Sequence, residues 1–240
     1  MSTLIRSEIL KTKHTFPLRL VIISPLFTIL LGLVLSGTSA QPASYNWWYE
    51  ILLPITLSIL CASTIIREKK THYQNVLCLS SSRNKVWLSK MTAVAILLLI
   101  SNLIMWIGCT ILGTVAETKI SILNGFVSSI LLTVTYLWQI PFIMMLCKFG
   151  SYLSSILLSI GGNVIISILG AEKNYFLINL YAIPARIVCP FLGIHPNGLA
   201  IETGSYLLDK GIVFPALFIS LVTAALLTIL SSKLLSNEVK

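Results

Sequence analysis

Along the chain, apolar runs of about twenty residues alternate with short polar links, and the links carry most of the charge. Windows of roughly 20 residues, the length a helix needs to cross a hydrocarbon core about 30 Å thick, pick out six runs: 16–35, 47–66, 91–113, 122–147, 152–170 and 212–235. A soluble protein could not hide so many apolar segments. The pattern predicts an all-α integral membrane fold of six transmembrane helices, forming a single domain over residues 1–240 with no separate soluble part. Trp47, Trp48 and Tyr49 at the head of the second run, and Trp87 before the third, are placed as interfacial anchors.

Two polar segments are themselves patterned. In "MSTLIRSEILKTKHTFPLRL", Leu4, Ile5, Ile9 and Thr12 fall on one helical side, while Arg6, Lys11 and Lys13 mark the polar remainder. This predicts an interfacial N-terminal helix, broken by Pro17 before the first run. Between the second and third runs lies "REKKTHYQNVLCLSSSRNKVWLSKM", in which Tyr73, Val76 and Leu77 recur at the spacing of one helical face. "SSSRN" interrupts that face, and Ser82 is placed to cap a second helix from about Arg83. That helix carries Lys85, Trp87 and Lys90 into the third run. An ordinary solvated loop whose lysines only fix topology is the plainer reading. The link near Lys148, however, needs only a few residues to do the same job.

Composition strengthens the membrane reading. Mean hydropathy is +0.91, and charged residues make up 10% of the chain against roughly 25% in soluble domains. The net charge of +9 does not point to nucleic acid, because the basic residues sit in links where the positive-inside rule already places them. With the N-terminus inside, the outer links hold only Lys119, Lys173, Arg186 and Lys210 of the 17 basic residues. Both termini are therefore expected in the cytoplasm. Residues 176–192 contain Pro184, Arg186 and Pro190, and an arginine near a span centre costs about 3 kcal/mol. They are read as a surface-lying or partly re-entrant part of a long outer loop, 171–211. "SGTSAQ" at 36–41 looks like a signal-peptidase site, but more spans follow it, so an uncleaved anchor is expected.

Candidate chemistry is sparse. No G-x-x-x-x-G-K-[ST] loop is present to hold a nucleotide phosphate. His14, His72 and His195 lie far apart in the sequence, and the five cysteines form no C-x-x-C pair, so neither a metal nor a disulfide framework is expected. The chain is expected to be non-catalytic, with no cofactor of its own. Of the eight acids, Glu50 is the one near a span, at the outer end of the second. Most small polar residues within spans read as helix packing. Asn102, Gln139 and Asn163 are larger, are expected to face protein or a cavity, and are candidates for a substrate path.

"SEILKTKHTF" before the first run and "REKKTHYQNVLCLSSSRNKVWLSK" after the second resemble the permease subunits of ABC-2 type exporters. The likeness is greatest to the bacterial lantibiotic-immunity and peptide-antibiotic resistance permeases, and "HPNGL" at 195–199 is similar to a stretch these carry before their last span. The resemblance covers most of the chain. It implies a bacterial cell-membrane protein paired with a second permease, the same or different. It also implies two separately encoded ATP-binding subunits that hold ATP and Mg. The N-terminal helix would be an elbow, and the helix after the second span a cytoplasmic coupling helix. That role falls on 68–79: Glu68, Lys69, Lys70, Tyr73, Val76 and Leu77, with Arg67 flanking. The implied cargo is a peptide antibiotic expelled from the membrane lipid. Glu172, Glu202 and Asp209 in the outer loop offer attraction to basic peptides, although loop solubility accounts for them equally. Export of a lipid-like molecule, or an ATPase-independent pore or scaffold, are the other readings.

Overall fold

The computed structural model describes residues 1–70, 82–173, 175–202 and 204–237. Eleven α-helices are found among them: α1 Ser2–Thr12, α2 Phe16–Ser36, α3 Ala40–Trp47, α4 Leu53–Lys70, α5 Arg83–Val115, α6 Ile122–Tyr136, α7 Gln139–Phe149, α8 Tyr152–Gly161, α9 Ser167–Gly170, α10 Ile183–Leu192 and α11 Val213–Asn237. One π-helical turn, Trp48–Leu52, joins α3 to α4, and a second, Gly162–Ile166, joins α8 to α9. Among the described residues the sole β feature is an isolated bridge, Ile194–Ala200.

Four continuous helical stretches are long and apolar enough to cross a membrane: Phe16–Lys70, Arg83–Val115, Ile122–Phe149 and Val213–Leu234; Tyr152–Ile166 is shorter. The expected count was six. One of the two differences arises at Gly37, where the chain folds back within a single helical stretch and joins the first two runs; the other is the fifth run, whose helix Tyr152–Ile166 is too short. Gly37 takes a positive φ of 51°, which glycine adopts at little cost. At Gly32 an added Cβ would lie 2.0 Å from Ser44 Oγ, so α3 can lie tightly against α2 only because that position has no side chain. Ser24 and Thr56 hydroxyls meet at 2.8 Å further along, and the two arms therefore run antiparallel. Between α6 and α7 the helix loosens at Leu137–Trp138, where Pro141 has no N–H to offer the Leu137 carbonyl.

α5 is the spine. At 33 residues it is about 50 Å long and touches α1, α2, α3, α6 and α11, while α4 packs on α7 and α8. The core is apolar and continuous, built around Trp48, Tyr45, Tyr49, Leu53, Leu57, Met105, Leu132, Tyr136 and Ile143. α11 instead exposes Phe214, Phe218, Leu221, Leu226 and Ile229, an apolar row suited to lipid or another subunit.

Several expectations change. Trp87 is buried and donates to Ser231 Oγ at 2.9 Å, and Trp48 and Tyr49 are core residues, so of these four aromatics only Trp47 is exposed. Ser82 does stand at the cap of α5, but through its carbonyl, which accepts from Lys85 and Val86 N–H; its hydroxyl makes no capping bond. The 176–192 segment is not laid over the surface. α10 is buried almost throughout and packs on α6. Arg186 is accommodated there because its guanidinium donates to the carbonyls of Leu207 and Tyr206 at 2.8 and 3.0 Å.

Candidate functional site

The charged links gather at one end of the bundle. α1 is helical over its predicted face, but Glu8 sits in the middle of that face, buried together with Thr12. α4 ends in "REKK", whose Glu68 continues the buried stripe of Leu60, Thr64 and Ile65. On α5, Lys90 lines up with Val86, Trp87, Ala93 and Val94, all buried. These three elements bring two carboxylates and two ammonium groups together. Lys90 Nζ lies 2.5 Å from Glu68 Oε1 and 3.0 Å from Glu8 Oε1, and Lys11 Nζ lies 2.7 Å from Glu8 and 3.3 Å from Glu68.

The cluster is shielded from solvent. The Glu8, Glu68 and Lys90 side chains are at most 6% exposed, and Lys11 closes the open side at 33%. Burial alone would lower the affinity of Lys11 for its proton. Glu8 first, then Glu68, reverses this and raises its pKa above the usual value near 10.5. The Arg67 guanidinium donates to the Lys11 carbonyl, tying α4 to the end of α1. Lys69 Nζ donates to the Cys147 carbonyl at 2.8 Å, tying α4 to α7.

Of the residues expected to serve coupling, Glu68 is buried in the bundle and Arg67 half-buried, while Lys69 and Lys70 are both exposed, Lys69 reaching the Cys147 carbonyl. Tyr73, Val76 and Leu77 lie outside the described residues. The missed partners are Glu8, Lys11 and Lys90. The available signal was register: Lys90 stands three and four residues from the apolar positions Trp87 and Val94.

The expected path residues are buried and mutually satisfied. Gln139 and Asn163 exchange amide hydrogen bonds at 2.9 and 3.0 Å, and Asn163 also donates to Ser159 O. Asn102 stands apart, accepting from Trp48 Nε1 at 2.8 Å and donating to Thr133 Oγ1 at 3.0 Å. At the opposite end, Gln41 joins three segments by accepting from Lys119 and Ile120 N–H and donating to Cys109 O. There too, Glu172 meets His195 Nε2 at 3.5 Å, Asp209 accepts from Gly211 N–H, and Glu202 lines a cavity of about 320 Å³ with His195, Asn197 and Tyr206. Among the described residues no cluster of three or more His, Cys, Asp or Glu is placed to hold a metal.

Apolar helices of membrane-crossing length around a buried core define a helical membrane protein. The sequence profile described as ABC-2 family transporter protein matches residues 4–170, well over half of the chain, and the chain belongs to that family. It is therefore a transport permease, of a family that implies an ATP-binding partner. No curated protein matches the chain.

Proposed function

We propose that this chain is the permease subunit of an ATP-driven exporter that expels a lantibiotic-like peptide antibiotic from the bacterial cell membrane. The chain crosses six times. The two arms of Phe16–Lys70 are separate crossings, residues 152–170 are another, and both termini lie in the cytoplasm. The observation that carries the reading is the buried four-charge cluster of Glu8, Lys11, Glu68 and Lys90. It binds the N-terminal helix and the facing ends of α4 and α5 into one unit, and includes Glu68, the first residue of 68–79, the segment to which the family likeness gives the coupling role. Two copies of an ATP-binding subunit, carrying ATP and Mg, close beneath it. Their closure moves the joined ends of α1, α4 and α5 as one unit, and helix packing switches between two arrangements.

The peptide cargo rests on the likeness to the immunity permeases and on Glu172, Glu202 and Asp209 near the opposite end. A lipid-like cargo is the second reading. It is favoured by an apolar groove of about 440 Å³ between α5, α7 and α11, lined by residues such as Met91, Ala95, Pro141, Leu221 and Ala225. Co-purification from detergent with the partner ATPase, combined with growth under a lantibiotic, tests both levels. Replacing Tyr73, Val76 and Leu77 by aspartate should abolish co-purification and protection together; intact co-purification removes the coupling assignment. Equal lantibiotic sensitivity with and without the intact transporter removes the peptide cargo and leaves export standing.

A further inference from the structure

Glu50 is the buried acid that the charge cluster does not use. It lies on the π turn Trp48–Leu52 and is 6% exposed. Its Oε1 accepts a long hydrogen bond from Ser167 Oγ, 3.3 Å, and its Oε2 has no partner. Among the described residues no basic side chain forms an ion pair with it. From the sequence it was expected at the outer end of a span. Because helix begins upstream at Ala40, it stands instead near mid-height. The Gly32–Ser44 contact and the Ser24–Thr56 hydrogen bond mark two levels of the hairpin, and Glu50 falls midway between Ser44 and Thr56, close to the level of the middle of α2.

The surroundings converge on it. Ser167 directly follows the second π turn, Gly162–Ile166, and the two π turns touch, with α10 packed against the first. Such turns are rare and are found frequently at functional sites. The residues flanking Glu50 are pinned: Tyr136 donates its hydroxyl hydrogen to the Tyr49 carbonyl, and Trp48 donates to Asn102. Its titratable neighbours are Tyr49 on the same turn, Tyr136 of α6 and Cys189 of α10, all uncharged near neutral pH. The cation of α10, Arg186, is directed to the Tyr206 and Leu207 carbonyls. α2, α3 and α4 bring no charged side chain to this level. An unpaired ionised carboxylate in such a place is strongly disfavoured, and a buried group escapes that cost by taking up a proton.

We propose that Glu50 is a proton-binding site: its carboxyl holds one proton in this arrangement and releases it to water when the contact between the two π turns opens. The proton leaves as hydronium, the carboxylate remains, and no other bond changes. Opening of the bundle at this level is thereby linked to pH. The inference does not depend on what the chain exports, since its test uses the purified full-length protein alone.

Infrared spectra of the detergent-solubilised protein at neutral pH should show a protonated-carboxyl C=O band that shifts in heavy water and is lost in Glu50→Gln. Identical spectra for the two proteins in this region would overturn the proposal. The glutamine variant should melt at the same temperature as wild type at neutral pH. At alkaline pH the wild-type protein should fall below it, because only wild type must then ionise a buried group. A glutamine variant that melts well below wild type at neutral pH counts against the proposal. If that variant does not fold, Ser167→Ala decides: removing the hydroxyl beside Oε1 should shift the same band, and an unshifted band overturns the assignment.

Discussion

The two ends of the bundle bury charge in opposite ways. Where α4 ends and α5 begins, charge answers charge: two lysines and two glutamates alternate, and the pair Lys11–Glu68 alone spans 57 residues of sequence. At the other end, among the described residues, Arg186 is met by no acid. Its guanidinium donates to carbonyls 20 and 21 residues away and lies over the rings of Phe176 and Tyr206 at 5.4 and 5.6 Å. The first arrangement ties together elements distant in the chain, so they must move as one. The second closes a loop upon itself, stiffening α10 and the Tyr206–Leu208 turn without committing the rest of the molecule. Burial is equal at the two ends, 3% exposure for both Lys90 and Arg186, so the difference lies in what each charge connects.

Removing Lys90 should give the largest effect. Lys90→Met leaves Glu8 and Glu68 facing each other in a dry site with only the half-open Lys11 between them, a change that costs about 3–5 kcal/mol in comparable buried pairs. Thermal unfolding in detergent should show a drop of that size. Lys90→Met combined with Glu68→Gln should recover much of the loss, since Glu8 and Lys11 then balance. A single variant that melts within about 1 kcal/mol of wild type would mean that the four charges are not a cooperative unit.

Arg186→Met should cost less, about 2 kcal/mol, the scale of hydrogen bonds made by a charged donor to two carbonyls left behind. Arg186→Lys should recover less than half of it, because an ammonium lacks the planar fork that reaches both oxygens. If the two ends are as independent as the geometry makes them, the losses of Lys90→Met and Arg186→Met add within about 0.5 kcal/mol. A larger deviation in the double variant would show that the Arg186 cap and the four-charge cluster are coupled after all.

Much of this architecture was legible in the chain. Twenty-residue apolar runs place α2, α5 and α11 closely, because length and hydropathy are local properties of sequence. The spacing of Ile5, Ile9 and Thr12 marks one face of α1, but Glu8 falls on that face too, and its acceptability depends on Lys90, which is 82 positions away. By charge alone Lys90 is one more lysine of a polar link, although it shares a stripe with Trp87 and Val94. Glu50 was misplaced for a different reason. The run counted as a span began at Trp47, whereas the structure carries helix back to Ala40 through Gln41 and Ser44, polar residues satisfied or packed only by tertiary contacts with α2, α5 and the 116–121 link. Pairing between distant polar groups has no sequence period, so it is visible only once the helices are side by side.

The smallest effect concerns Lys11, the one member of the cluster that water reaches. Its pKa is raised because Glu8 and Glu68 outweigh the opposing effect of burial. A lysine whose folded value exceeds its unfolded one contributes stability in full below about 10.5, and that contribution fades as pH climbs through the folded value. Partial exposure screens the interaction, so well under 1 kcal/mol is expected. The difference in melting temperature between wild type and Lys11→Met should accordingly stay constant from neutral pH to about pH 10 and shrink only beyond it. Added salt should reduce this difference while leaving the Arg186→Met difference untouched, because ions reach the rim of the charge cluster but not a guanidinium enclosed by carbonyls and rings. A difference that instead collapsed near neutral pH would place the titrating group elsewhere and make Lys11 a bystander, with Lys90 alone holding the two glutamates together.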